Sequence, residues 1–338
     1  MIREAINTLV SGSALAFEQS AAVMEEMMSG EATPAQIAAF VTALRIKGET
    51  VDEIAGLASV MRAKSIRVAA TTPLLDTCGT GGDSCGSINI STAAAFVAAG
   101  AGIKVAKHGN RAMTSRCGSA DVLEALGVKI DLGAEAVSQC LEKIGIGFMF
   151  APIFHPAMKH AVAPRREIGI RTVFNILGPL TNPARAGHQV IGVADEQLGN
   201  KLAAALQRLG TEHSLVVHGL DGMDEISIST ESLVWEVDKD KVSSPYTVSP
   251  EAFGLPEASR EDIKGDTPEE NALILHRIFK GEKGSLRNIV VLNAAAALFA
   301  GNRVSNMQEG INLAQEVIDG GYAREKLNGL VELSQKLG

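Results

Sequence analysis

From residue 70 onward, short β-like runs ("IKVAK", "IGFMFAP", "HQVIGVA", "SLVVHG") alternate with helix-like runs ("ISTAAAFVAAGA", "SADVLEALG", "AEAVSQCLEKIG", "EQLGNKLAAALQRLG"). Strands spaced by helices at βα intervals predict a mostly parallel sheet covered by helices. A later stretch, "SLVWEVDKDKVSSPYTVSP", reads as an antiparallel hairpin or meander. Beyond it, Thr267 and Glu270 form a capping box that opens a return to helix.

The first 65 residues have a different texture. "TPAQIAAFVTALRIKG" offers Thr33 as an N-cap, Pro34 at the first helical position and Gln36 to complete a capping box, with Ile37, Val41 and Leu44 at helical spacing. "TVDEIAGLASVMRAKS" repeats the device with Thr50 and Glu53. With "REAINTLV" and "AFEQSAAVMEEMMSG", this predicts about four short helices and no strand. Such apolar-faced helices suit a small domain or half of a dimer interface.

Composition narrows the function. At 46% hydrophobic and 21% charged residues, the chain has the material of a globular protein. A net charge of -8 argues against a general nucleic-acid or polybasic membrane binder, while leaving room for a local anion pocket. Arg3 and Glu4 interrupt the position of a secretory signal, and no run approaches the roughly 20 apolar residues of a membrane span, so the expected location is the cytoplasm. Cys78, Cys85, Cys117 and Cys140 lack CxxC spacing and read as reduced thiols.

In an open α/β sheet, ligands sit beyond the carboxyl ends of the strands, where loops lead into helix N-termini. "DTCGTGGDSCG" occupies such a position, with four glycines between Gly79 and Gly86. It is no dinucleotide fingerprint, because Ser84 stands where the last glycine is needed, and no Walker A loop, because Ser87 stands in place of lysine. Asn89, Ser91 and Thr92 follow with hydroxyl and amide groups able to hold a phosphate oxygen or a hydrated metal. A second loop, "KHGNRAMTSRCGS", supplies Lys107, His108, Asn110, Arg111, Thr114, Ser115, Arg116 and Ser119, a set that suits a polyanion. Asp224 and Glu225 of "DGMDEIS" follow a strand end, and adjacent carboxylates there can hold Mg²⁺ against a phosphate substrate.

"GTGGD", "NIST", "KHGNR", "GSADVLEALG", "HPAMKH", "RTVFNILGPLTNP" and "DGMDEIS" resemble, in order and spacing over essentially the whole chain, the anthranilate phosphoribosyltransferases of tryptophan biosynthesis. The resemblance implies an α/β fold like that of the pyrimidine nucleoside phosphorylases. Its parts would be a small helical domain over residues 1–68, completed by a segment near 164–184, and an α/β domain over 69–338 with a central, mostly parallel sheet. It also implies a cytoplasmic homodimer, joined through the helical domains, that binds neither nucleic acid nor membrane. The reaction implied is displacement of pyrophosphate from 5-phosphoribosyl 1-pyrophosphate by the amine of anthranilate, with Mg²⁺ as cofactor. The competing readings are a related nucleoside phosphorylase and a non-catalytic nucleotide- or nucleic-acid-binding relative.

By the same resemblance, Gly79, Gly82, Asp83, Ser87, Asn89, Ile90, Ser91 and Thr92 contact phosphoribosyl pyrophosphate. So do Lys107, His108, Gly109, Asn110, Arg111, Ala112, Met113, Thr114, Ser115 and Ser119. Ser91, Asp224 and Glu225 correspond to Mg²⁺ positions, and Gly79, Asn110, His155 and Arg165 to anthranilate contacts, with His108 also lining the acceptor tunnel. Lys107, His108 and Asn110 form the expected catalytic set, His108 as a positioning donor rather than a base. The chain departs from the family in "APRREIG", where a displaced proline and the adjacent Arg166 leave two arginines as candidates for one carboxylate.

Overall fold

The computed structural model describes residues 1–70, 73–112 and 116–338. Four helices come first: α1 (Ile2–Val10), α2 (Phe17–Ser29), α3 (Pro34–Lys47) and α4 (Val51–Lys64). Two of the three expected capping boxes are complete, with the Thr33 hydroxyl accepting from the Gln36 amide and the Thr50 hydroxyl from the Glu53 amide, each at 3.3 Å, while at Thr267 the hydroxyl accepts from the Glu270 amide without the reciprocal bond. Glu53 does more than cap. Its buried carboxylate also accepts from the Leu15 amide at 2.9 Å and pairs with Lys47 at 2.9 Å, tying three elements together.

Seven strands form one sheet in the order β3-β2-β1-β4-β5-β6-β7. They are β1 (Leu75–Gly79), β2 (Val105–Gly109), β3 (Ile146–Phe150), β4 (His188–Gly192), β5 (His213–Gly219), β6 (Ser232–Asp238) and β7 (Tyr246–Val248). The first five pair in parallel, and β6 and β7 complete the sheet as the expected antiparallel meander. Strand β1 begins earlier in the glycine-rich stretch than its loop-like composition suggests, so Asp76 to Gly79 are strand and the loop starts at Thr80. Chain order runs outward from β1 to β3 and then restarts on the other side of β1 at β4, which makes the β1/β4 boundary the switch point of the sheet.

Helix α5 (Ile90–Gly100) carries five alanines, and nearly every one of its residues is buried. It packs on the sheet and against the long helix Ser285–Ala300, which itself packs on β4 and β5. The other sheet face, with Ile191, Val216 and Trp235, shares a core with α1–α4. Ala161, Val173, Phe174, Ile176, Leu177 and Leu180 join that second core. Arg62 fastens the parts together, its Nε donating to the Leu180 carbonyl at 2.5 Å and Nη1 to the Leu209 carbonyl at 3.1 Å. No helix among the described residues is long and apolar enough to cross a membrane.

Candidate active site

At the switch point, Gly79 and Gly192 face each other in register across β1 and β4. A Cβ at Gly79 would lie 2.1 Å from the Asp224 Oδ2, and one at Gly192 would lie 1.5 Å from the Asp224 backbone oxygen. At Gly82 (φ +80°) a Cβ would lie 1.5 Å from Arg171 Nη1. The close approach that strips side chains from this loop is therefore made by Asp224 and Arg171, groups of the protein itself. Gly81 and Gly86, by contrast, have open space around them and positive φ values of 69° and 64°, the left-handed conformation glycine accepts without strain.

Two adjoining cavities open here. The first, of about 320 Å³, is lined by the loop Gly79–Asp83, the entrance of α5 from Ser87 to Thr92, and residues Lys107–Ala112, Ser119, Arg171, Asp224 and Glu225. Asp224 accepts from the Gly81 amide at 2.6 Å and Glu225 from the Ser91 amide at 3.1 Å, so one carboxylate is anchored on the glycine loop and the other at the mouth of α5. Loss of solvation, reinforced by Asp83, pushes Asp224 up to about 7, and loss of solvation with the charge of Asp224 raises Glu225 well above the usual carboxylate range. Two such carboxylates beside a phosphate-sized cavity fit a divalent cation, since Mg²⁺ takes one or two carboxylates together with substrate oxygens and waters. Ser91 lies with them, its Oγ 3.4 Å from Lys107 Nζ. Lys107 is buried and donates to the Thr77 carbonyl at 2.5 Å, with burial lowering its pKa and Asp76 opposing that shift. Asp76, a buried residue the sequence did not single out, is held by Asn182 at 2.7 Å and by the His108 amide at 3.2 Å.

The basic loop is less basic than its composition. Arg111 is bound to Asp121 at 3.0 Å and to Glu124 at 2.8 and 3.1 Å, both on α6 (Ser119–Ala125), and these carboxylates raise its pKa. Arg116 pairs with Asp266. The Ala112 amide donates to Asp121 at 2.9 Å. Asn89, on the cavity wall, donates to the Cys117 carbonyl at 3.2 Å and accepts from the Asn271 side chain at 3.0 Å, stitching loops together. Gly109 makes room for Ser119, whose Oγ lies 2.1 Å from where a Cβ would sit, and Ile90 is buried at the first turn of α5. Thr92 keeps a buried hydroxyl without a partner among the described residues. Met113, Thr114 and Ser115 lie outside the described residues.

The second cavity, of about 440 Å³, shares Gly79, Thr80, His108, Gly109 and Asn110 with the first and extends to His155, Pro179, Phe174 and Arg165. The rings of His108 and His155 stand 5.0 Å apart. Burial holds both well below the ordinary histidine range, His108 at about 3, with His155 a second cause, and His155 at about 4. They are neutral at physiological pH, and His108 Nε2 and both nitrogens of His155 have no hydrogen-bond partner among the described residues. Arg165 stacks over Phe174, guanidinium carbon to ring centroid 4.9 Å, and burial lowers its pKa. The helix Lys159–Ile168 runs straight through Pro164 rather than starting at it, which leaves Arg166 exposed and off both cavity walls.

The architecture is thus a four-helix N-terminal unit followed by an α/β sheet with a cavity at its switch point. Residues 3–65 match the family described as "Glycosyl transferase family, helical bundle domain", and residues 71–324 match "Glycosyl transferase family, a/b domain". The chain is 61% identical over 338 residues to an anthranilate phosphoribosyltransferase of Dehalococcoides mccartyi, covering 100% of this chain and 99% of that one. The crystal structure of anthranilate phosphoribosyltransferase from Thermus thermophilus superposes with a TM-score of 0.92 at 45% identity, covering 98% and 99% of the two chains. The enzyme from Saccharomyces cerevisiae in complex with PRPP and Mg also gives 0.92, at 27% identity and 99% and 98% coverage. The same yeast enzyme in complex with 4-fluoroanthranilate gives 0.89 at 26% identity, with the same coverage. The chain belongs to the anthranilate phosphoribosyltransferase family.

Proposed function

We propose that this protein transfers the phosphoribosyl group of 5-phosphoribosyl 1-pyrophosphate to the amine of anthranilate, releasing pyrophosphate and N-(5-phosphoribosyl)anthranilate. The observation that carries the reading is the pair of adjoining cavities with unlike chemistry. One has a helix entrance, a buried lysine and a carboxylate pair; the other has an apolar wall, two neutral histidines and one stacked guanidinium. A polyanionic donor fits the first and a small aromatic carboxylate the second, meeting where both cavities are walled by Gly79, Thr80 and His108–Asn110.

Ser91, Asp224 and Glu225 are the residues that would hold Mg²⁺. When bound, the ion neutralises charge on the pyrophosphate and so makes it a better leaving group. Lys107 adds fixed positive charge on the donor side, where charge develops on the departing oxygen. Arg165 grips the anthranilate carboxylate, and His108, His155 and Asn110 orient the acceptor so that its nitrogen faces the anomeric carbon. A neutral arylamine needs no deprotonation before attack. A histidine with a conjugate acid near 3 is too weak a base to perform one, so His108 acts as a positioning group.

The helical domain is residues 1–68 with the segment near 164–184, the α/β domain is residues 69–338, and the enzyme works in the cytoplasm as a homodimer. The motive for the dimer is exposed apolar surface on and beside α1 and α3: Met1 is 60% exposed, Val10 73% and Ile46 82%. The test of function is pyrophosphate release from phosphoribosyl pyrophosphate in the presence and absence of anthranilate and of excess chelator. Release that requires anthranilate and Mg²⁺ supports the reading. Phosphorolysis of a nucleoside without either would replace it.

A further inference from the structure

Of the cationic side chains that line the donor cavity, Arg111 is committed to Asp121 and Glu124, and His108 is neutral. Lys107 remains, facing three lining carboxylates, Asp83, Asp224 and Glu225. A substrate with a phosphate on one side of its ribose and a pyrophosphate on the other calls for more positive charge than Lys107 alone supplies. The other cation on that wall is Arg171, which forms no ion pair with any described carboxylate. Its Nη2 donates to the Thr80 carbonyl at 3.2 Å, and its Nη1 occupies the space a side chain at position 82 would fill. Gly82 thus admits the guanidinium to the loop, and the fork leaves further N–H donors once Thr80 is satisfied.

Resting on the donor reading above, we propose that Arg171 is a substrate-binding residue: it donates to a phosphate of phosphoribosyl pyrophosphate while holding the Thr80–Gly82 loop in place. Arginine suits both tasks because its planar group can bond a carbonyl with one nitrogen and an anion with others, whereas a lysine ammonium is a single point of charge. The residue acts on donor binding alone, since Arg171 does not line the acceptor cavity.

The test compares Arg171→Lys, Arg171→Gln and Arg171→Ala with the unaltered enzyme, using calorimetric binding of phosphoribosyl pyrophosphate with Mg²⁺ and Michaelis constants for both substrates. The inference expects Arg171→Gln and Arg171→Ala to weaken donor binding at least twentyfold, with the anthranilate constant unchanged within threefold. Arg171→Lys should recover part of the donor affinity, because charge is what the phosphate reads. Gln keeps an N–H donor for the Thr80 carbonyl, so wild-type affinity in Arg171→Gln would reduce Arg171 to a loop tie and overturn the inference. Donor affinity within threefold of wild type in Arg171→Ala would overturn it as well. Should the alanine variant fail to fold, the Lys and Gln pair decides alone. An unaltered enzyme that binds no phosphoribosyl pyrophosphate would sink the functional reading and this inference with it, whereas normal binding that ignores position 171 sinks only the inference.

Discussion

Replacing Arg165 by alanine should weaken anthranilate while leaving the donor almost untouched. The guanidinium stacks on Phe174 at 4.9 Å and has no carboxylate partner among the described residues, so it is a partly desolvated cation poised for an anionic ligand. Hydrogen bonds to charged groups are worth about 1.5–3 kcal/mol each, and about 1.4 kcal/mol is a factor of ten. The Michaelis constant for anthranilate should therefore rise about 10- to 150-fold. The constant for phosphoribosyl pyrophosphate should move less than threefold, because Arg165 is absent from the donor cavity wall. Folding should suffer little, since losing a cation–π contact of about 0.5–1 kcal/mol is offset by no longer burying a charge. Arg165→Lys should fall between, its ammonium lacking the planar two-point grip. Arg166→Ala, at an exposed position off both cavity walls, serves as the control and should behave as wild type. Steady-state kinetics with each substrate varied at saturating concentrations of the other measures all of this. The reverse pattern, Arg166 governing anthranilate and Arg165 silent, would refute the assignment of the acceptor cavity.

The double variant Asp224→Ala, Glu225→Ala should raise the Mg²⁺ concentration needed for half-maximal activity at least tenfold while melting no lower than wild type, because two desolvated carboxylates are removed with the site; an unchanged Mg²⁺ titration would show the pair to be uninvolved. Val10→Asp with Ile46→Glu should shift sedimentation toward the monomer, and a persistent dimer would place the contact elsewhere. Stability should also depend on the buried histidines. Their folded-state pKa values of about 3 and about 4 lie below the ordinary 6.5, so between those limits the unfolded chain binds more protons and stability falls as pH falls. At pH 5 each costs about 2 kcal/mol relative to neutral pH. Chemical denaturation of His155→Phe at pH 7 and pH 5 should show a smaller loss than wild type by about that amount; equal losses would mean that His155 takes up its proton in the folded state.

Much of the architecture was legible because it rests on local signals. Thr33 with Gln36 and Thr50 with Glu53 mark helix starts by hydrogen bonds within four residues, and the alternation of runs after residue 70 records the strand–helix repeat. What the sequence hid is pairing at a distance. Nothing near Gly79 or Gly82 announces that Asp224 and Arg171 fill the space above them, so glycines that read as a cradle for ligand are first of all room for protein groups. Arg111 and Arg116 read as free cations in the sequence, whereas folding pairs them with Asp121, Glu124 and Asp266. The neutrality of His108 and His155 is likewise a property of burial, which no motif encodes. The displaced Pro164 left both Arg165 and Arg166 as candidates for one carboxylate, and only the three-dimensional path of the helix that passes through it separates the two.

The central claim is that one phosphoribosyl group moves from pyrophosphate to the anthranilate nitrogen at the junction of the two cavities. Mass spectrometry of the products, with pyrophosphate quantified in the same reaction, tests it most directly. The account predicts N-(5-phosphoribosyl)anthranilate and pyrophosphate in one-to-one ratio, neither appearing when anthranilate or Mg²⁺ is left out. Pyrophosphate released at the same rate without anthranilate, or with no N-ribosylated product formed, would contradict it.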